Sequence, residues 1–388
     1  MMKKISIFLF IVIFLVGLAY TFLYIFLNTE GKNILLGLLE KKFKIKAQLE
    51  SLTFRFPFKL FLNNFQWKEL NIGETELRLG MSNPFTRQIV ISKLYMKDLK
   101  FTLHKEKKRE GKKELIPIEK EKRNEITSSL PRSKFFLKFN QIIIENGLLE
   151  FEDNTLSPPL KLALKDIKIL IKNFRYPEIE KFFVELNASP QVEEKEIKNA
   201  LSILGWIDWK EKNMDLALNL NNFDYFMLSN YYPPFWKPEN LKLKEAILSL
   251  KAHLLSENDN LLIDYYIILE KANFSEEPEV SSEVETFKKI LSLFEKDGKA
   301  TVHLQYKTKM SSPEFKLTSI GEGLLNQIQK IDPDFTSNII TKFLQGAQET
   351  VEGGIKGLKG LTIDPAMGAA KSFLNEFLKN FKEIIEKK

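Results

Sequence analysis

Apolar and polar residues alternate with period two over much of this chain, and that spacing limits the fold more than any other feature. Leu99, Phe101 and Leu103 alternate with Lys100, Thr102 and His104. Phe182, Val184, Leu186 and Ala188 alternate with Lys181, Phe183, Glu185, Asn187 and Ser189. The same rhythm runs through Met214, Leu216, Leu218 and Leu220, and through Ala246, Leu248, Leu250, Ala252 and Leu254. It returns in Ala300, Val302, Leu304 and Tyr306. Successive side chains of a strand point to opposite faces, so each run has one apolar and one wet face, as antiparallel sheets do. Turn signals fall at Glu145-Asn146-Gly147, Ser157-Pro158-Pro159, Tyr232-Pro233-Pro234 and Glu257-Asn258-Asp259-Asn260. The pattern predicts roughly ten to twelve strands, without the strand–helix alternation that builds a parallel sheet.

The N-terminus follows a different rule. Ile5 to Leu27 is a run of 23 residues with no charge. As a helix it would be about 34 Å long, enough for a hydrocarbon core of ~30 Å. Lys3 and Lys4 precede it, and the positive-inside rule then puts the N-terminus in the cytoplasm and the rest outside. Ile5, Phe14 and Leu27 mark the expected anchor. A cleaved signal peptide is the alternative, since Gly17-Leu18-Ala19 has the small-x-small form of a cleavage site, although the apolar run continues well past it. Asn28 to Lys42 reads as a short helix leaving the membrane, with Ile34, Leu35, Leu38 and Leu39 at helical spacing.

Three further segments break the strand pattern. Lys105 to Arg123 holds nine Lys or Arg and five Glu, and reads as a solvated, flexible loop. Between Ser281 and Lys296, Phe287, Ile290, Leu291 and Phe294 share a helical face, and Gly298 sits where a helix-terminating glycine would. From Gly321 on the period is helical. Phe373, Leu374, Phe377, Leu378, Phe381, Ile384 and Ile385 form the strongest stripe, after Pro365 at a helix start. That final helix either docks on the sheet or meets a membrane surface or partner.

Motifs of catalysis are missing. His104, His253 and His303 are the only histidines, each on the polar side of its strand, and their spacing fits no metal motif. Gly353 to Gly360 lacks the Gly-Lys-Ser/Thr ending of a phosphate loop, and there is no G-x-S-x-G elbow. No cysteine is present, which excludes disulfides and thiolate chemistry. The net charge of +7 comes from 58 basic and 51 acidic residues mixed along the chain, unlike the concentrated basic patch of a nucleic-acid binder. With 32 Phe against 10 Tyr and 4 Trp, much apolar area carries no polar handle. These features argue against an enzyme and call for no cofactor, metal or nucleic acid.

Three stretches resemble one known superfamily. The first is the anchor, then Gly31 to Glu40 and the strands to Leu103, with Ile89-Val90-Ile91-Ser92-Lys93-Leu94 and Leu99-Lys100-Phe101-Thr102-Leu103 as paired strands. The second is Gln141 to Asp153, read as strand, Asn146-Gly147 turn and strand, followed by Pro159 to Leu164. The third runs from Gly205-Trp206-Ile207-Asp208 through Asn219-Leu220 and Tyr231-Tyr232 to Leu269. In order and spacing these resemble the AsmA-like superfamily of bacterial inner-membrane-anchored envelope proteins, which includes TamB-like and YhdP-like members.

The resemblance implies a mainly β fold with some α. A transmembrane helix (1–28) leads to N-terminal AsmA-like strands (29–104), a charged flexible loop (105–133), a long curved antiparallel β-trough (134–320) and amphipathic C-terminal helices (321–388). At ~4.8 Å per strand the expected trough is about 50 Å long. It also implies a lipid-binding or lipid-transfer role in phospholipid transport or outer-membrane homeostasis. The expected partners are phospholipid acyl chains, the inner membrane and other envelope proteins, with the bulk of the chain periplasmic. The expected lipid-facing residues are Leu99, Phe101, Leu103, Phe182, Val184, Leu186, Leu216, Leu218, Leu220, Leu248, Leu250, Val302 and Leu304. A structural or assembly factor, its apolar face closed by its own C-terminal helices, fits the same pattern.

Overall fold

The structure, a computed structural model, describes residues 2–43, 46–55, 57–80, 88–105, 136–154, 158–231, 237–275, 282–312, 327–328 and 330–332. One long helix, α1 (Met2–Phe43), is followed by three strands, β1 (Ser51–Arg55), β2 (Lys59–Trp67) and β3 (Leu70–Leu79). Three long strands come next: β4 (Gln88–Lys105), β5 (Phe136–Asp153) and β6 (Leu160–Tyr176). Then come β7 (Lys181–Val192), the two-residue β8 (Lys195–Glu196), β9 (Leu201–Asp208) and β10 (Asn213–Asp224). A 3-10 helix (Tyr225–Tyr231) leads to β11 (Leu243–Glu257) and β12 (Asn260–Phe274). The last elements are α2 (Ser282–Phe294), β13 (Glu295–Lys296) and β14 (Lys299–Lys309).

The strands form one open 14-stranded sheet, in the order β1-β2-β3-β4-β5-β6-β7-β9-β10-β11-β12-β14-β13, with β8 pairing beside it on β7. Neighbours in the sequence are neighbours in space, which suits short hairpin connections. The β11–β12 turn consists of Asn258 and Asp259, both at positive φ, between the paired Glu257 and Asn260. That is the two-residue turn whose twist matches a hairpin.

Several expectations change here. There are fourteen strands among the described residues, where ten to twelve were expected, because short β8 and β13 carry too few residues to show a period. One pair, β4 with β5, is parallel. The connection between them, 106–135, is long enough for the crossover that a parallel pair needs. The two strands read at Ile89–Leu94 and Leu99–Leu103 are one strand, β4. Likewise Asn146-Gly147 does not reverse the chain but lies within β5. Gly298 stops no helix; with Asp297 it forms the β13–β14 turn, both at positive φ. Most of the charged segment and of the C-terminal helical segment lies outside the described residues.

The interior strand positions at positive φ share a sequence form. Asn64, Asp98, Asn146, Asp166, Asn173, Asn222 and Lys271 are all left-handed. In each case an apolar residue precedes by two and, except at Gly147, an apolar residue follows, as in Met96-Lys97-Asp98-Leu99, Ile171-Lys172-Asn173-Phe174 and Leu220-Asn221-Asn222-Phe223. At Asn146, Asp166, Asn222 and Lys271 the pairing register shifts by one residue, as at a bulge, which bends and twists its strand. A single extra residue would normally turn the rest of a strand inside out. In β2, β4 and β5 the left-handed residues stand at one level, so the register between β2, β3, β4 and β5 runs on unshifted past them. Asn64 lies opposite Gly73, which lies opposite Asp98, and the Asn146 side-chain amide donates to the Asp98 carboxylate. Leu220 and Phe223, on either side of Asn222, accordingly join one apolar cluster with Leu248.

Gly205 in β9 is required by its surroundings. Its φ is +152°, and a Cβ there would lie 1.9 Å from the Asp215 carbonyl oxygen of β10.

Both helices meet the apolar side of the sheet. Phe287 of α2 packs with Tyr225, Leu241, Leu243 and Ala246 over the β11–β12 end. Gly31 and Leu39 of α1 are buried, and the position of a Gly31 Cβ would be 3.0 Å from Leu52 of β1. Among the described residues no helix is long and apolar enough to cross a membrane. Of the expected anchor, the Ile5 side chain and most of those before Gly17 fall outside the described residues. Those described include Phe14, Leu18, Phe22 and Ile25, all more than half exposed, while Leu27 is partly buried.

Candidate functional site

Register, followed from strand to strand, assembles a single apolar face. Phe54 of β1 pairs with Leu60, Leu60 with Leu77, Leu77 with Leu94, and Leu94 with Ile142. The row continues through Ile171, Val184, Gly205, Leu216, Leu254 and Ile263 to Tyr306 of β14. A second row, one step along each strand, runs from Leu52 through Leu62, Thr75, Met96, Ile144, Ile169, Leu186, Ile203, Leu218, Ala252 and Tyr265 to Leu304. Each row crosses twelve strands, about 50 Å at ~4.8 Å per step, and neither contains a charge.

All thirteen residues expected to face lipid fall on this side. Leu186, Leu218 and Leu304 share the second row, and Val184 and Leu216 the first. Phe182 pairs with Ile207. Leu220 meets Leu250, then Ile267 and Val302. Leu248 pairs with Phe223 and Leu269. Leu99, Phe101 and Leu103 continue the face past left-handed Asp98, with Phe101 between Leu70 and Leu149. Twelve of the thirteen are partly buried and only Leu304 is fully so. A core residue under a second layer would be dry, so these side chains keep some apolar surface open, a minor fraction of the ~1.5–3 kcal/mol that full burial of a large side chain is worth.

The candidate set held only two of the twelve residues of the first row and three of the second; among those missed are Phe54, Leu60, Leu77, Ile142, Ile171, Ile203 and Ile263. The alternation in Leu60-Phe61-Leu62 was too short to stand out. In Ile142-Ile143-Ile144 it is masked by an apolar residue on the opposite face.

Cover is local. The 3-10 helix places Met227 against Phe223 and Val192, and α2 closes the β11–β12 end. Ile328, fully buried, adds to that end, with the Gln327 side-chain amide donating to the His303 carbonyl. Burial raises the Tyr265 phenol to about 12, as expected where Leu304 beside it is also dry.

The opposite face is a lattice of charges. Lys100 meets Glu150 at 2.9 Å and holds its carboxyl below the usual range. Lys299 meets Glu270 at 2.7 Å, and Lys181 lies 3.7 Å over the Trp206 ring. The three histidines are on this side, half exposed, each beside a carboxylate: His104 with Glu152 at 3.2 Å, His253 with Asp215 at 2.8 Å, and His303 with Asp264. Two open depressions of about 300 and 640 Å³ are lined by polar residues, such as Arg175 and Asp208 in one and Asn221 and Lys251 in the other. Among the described residues no group of His, Asp or Glu is arranged to hold a metal ion. What the arrangement offers chemically is a continuous apolar strip backed by a wet surface.

No protein-family model matches the chain, and no curated protein is similar to it in sequence.

Proposed function

We propose that the protein is a membrane-anchored lipid-binding and lipid-transfer protein of the bacterial envelope, with acyl chains lying along the apolar face. The AsmA-like resemblance and the charge-free run behind Lys3 and Lys4 support the envelope setting, with the N-terminus cytoplasmic and the sheet periplasmic. The observation that carries the proposal is the pair of charge-free rows crossing twelve strands, with local cover only among the described residues. An acyl chain needs apolar contact along its length and no hydrogen bonds, which such a strip provides. The expected role is phospholipid transport or outer-membrane homeostasis, with no catalysis.

The test is photo-crosslinking in cells. A photoreactive phenylalanine analogue at Leu218 or Leu250 should form phospholipid adducts detectable by mass spectrometry. At Ala217, one residue away on the wet face, it should form none. Equal labelling at 217 and 218 would remove the basis for the proposal. A second reading, a structural or assembly factor that closes its own face, is favoured by one feature: α2, the 3-10 helix and Ile328 already close one end. On that reading Leu218 crosslinks only to protein.

A further inference from the structure

Three large hydrophobic side chains are exposed together at one end of the sheet. Phe58, in the β1–β2 turn, is 51% exposed, Leu79 at the end of β3 is 46%, and Phe136 at the start of β5 is 37%. The Leu79 amide donates to the Phe58 carbonyl at 3.1 Å. Leu79 pairs with Ile91 near the start of β4, and Gln88, the first residue of β4, pairs with Phe136. All three therefore stand at the same strand ends.

Helix α1 rises beside this end. It runs antiparallel to β1: Lys32 donates to the Glu50 carbonyl, Asn28 bonds Phe54, and Tyr20 packs on Phe54 and Phe58 with ring centroids 6.0 and 6.3 Å apart. From Asn28 to Tyr20 is about 12 Å toward the helix N-terminus. The turn thus lies level with the charge-free run Ile5–Leu27, not beyond it. Exposed Leu18 and Phe22 flank Tyr20 at that level. Arg55 and Lys59 bracket the turn.

We infer that this end of the sheet is a bilayer-docking rim. Phe58 and Leu79 enter the boundary between headgroups and acyl chains beside α1, and Arg55 and Lys59 face anionic headgroups. The inference rests on α1 being the membrane anchor proposed above. Exposed apolar groups at a shared edge mark an interaction surface. Aromatic residues with flanking basic ones suit the bilayer interface, where apolar faces sit some 5–10 Å deep. The row that begins at Phe54 then opens at the membrane, so an acyl chain can pass onto the sheet without crossing water.

The absence of native cysteine permits single-site labels. Phe58→Cys, Leu79→Cys, Leu18→Cys and Leu204→Cys, each carrying an environment-sensitive fluorophore, are made in the full chain. They are reconstituted in phosphatidylcholine–phosphatidylglycerol vesicles with an acyl-chain spin-label quencher. Leu18 reports the anchor and Leu204, half exposed on the wet face, reports water. The expected result is about twofold or greater quenching at 18, 58 and 79 and none at 204, as interfacial burial requires. Quenching at 18 but at neither 58 nor 79 overturns the rim and leaves the anchor standing. No quenching at 18 overturns the anchor, and the rim with it. Two independent rim positions keep the result readable if one variant misfolds.

Discussion

Asn28 on helix α1 takes the place of a neighbouring strand for Phe54: it accepts from the Phe54 amide at 2.8 Å and donates to the Phe54 carbonyl at 3.2 Å. Phe54 pairs with Leu60 through its strand, and β1 is an edge of the sheet, so these two backbone groups would otherwise lack partners. An open edge also invites pairing with another chain. One amide side chain therefore ties the helix to the first strand and seals the edge at that point.

Asn28→Leu keeps the size of the side chain and removes both bonds. Leaving a backbone donor and acceptor unsatisfied costs about 1–3 kcal/mol. Exchange of the Phe54 amide with solvent deuterium should quicken about tenfold for each 1.4 kcal/mol lost, while amides of β10 to β12 keep their rates. Unchanged exchange at Phe54 would show that the pairing carries no stability.

The left-handed bulge residues yield a sharper comparison. Asp166 is exposed and at φ +50°, with its neighbour Ile167 buried. A β-branched residue in that conformation costs about 1–2 kcal/mol, and glycine costs little. Asp166→Val should therefore lower the urea midpoint, and Asp166→Gly should leave it nearly unchanged. Equal loss in both variants would mean that the aspartate side chain, not its backbone, matters at this site.

The alternating runs at Leu99–Leu103, Phe182–Ala188, Met214–Leu220 and Ala300–Tyr306 read directly as strands because one face is wet and the other is not. The same signal placed all thirteen candidate residues on one side. Asn146-Gly147 misled because positive φ serves both a hairpin turn and a bulge. Only the apolar residues at Ile144 and Leu149, resuming the same face across it, distinguish the two. Gly298 misled for a related reason, since a left-handed glycine ends helices and makes hairpins alike. The parallel β4–β5 pair was not legible at all: strand direction is set by the connection, and 106–135 is charged and without period. Phe54 and Ile142 escaped notice because a face shared across strands is a property of register, which no single strand encodes.

Acid and alkali should each weaken the fold, at different strands and on opposite faces of the sheet. The Lys100 and Thr102 hydrogen bonds hold Glu150 below its usual 4.5, so its contribution is present above that value and is lost as pH falls through the depressed one. Burial raises Tyr265 from 10.0 to about 12, so its contribution is full below pH 10 and is lost as pH rises toward about 12. Melting temperatures measured across pH should fall below about 4.5, less steeply in Glu150→Gln. They should also fall above about 10, less steeply in Tyr265→Phe. Parallel curves for Tyr265→Phe and wild type above pH 10 would mean that the phenol is hydrated.

The two leucines of one row separate core from binding surface. Leu304 is 4% exposed, and Leu218, three strand steps away along the same row, is only partly buried. Leu304→Asp puts an unpaired carboxylate in a dry site at a cost of several kcal/mol, so that variant should unfold or aggregate. On an open face the Leu218→Asp carboxylate keeps water when lipid is absent, and the cost should be only about 1–2 kcal/mol. The loss should appear instead in bound phospholipid, quantified by mass spectrometry of the purified full chain. Unfolding of Leu218→Asp as complete as that of Leu304→Asp would make the row a closed core. A folded Leu218→Asp with wild-type lipid content would remove this stretch of the face from any lipid path.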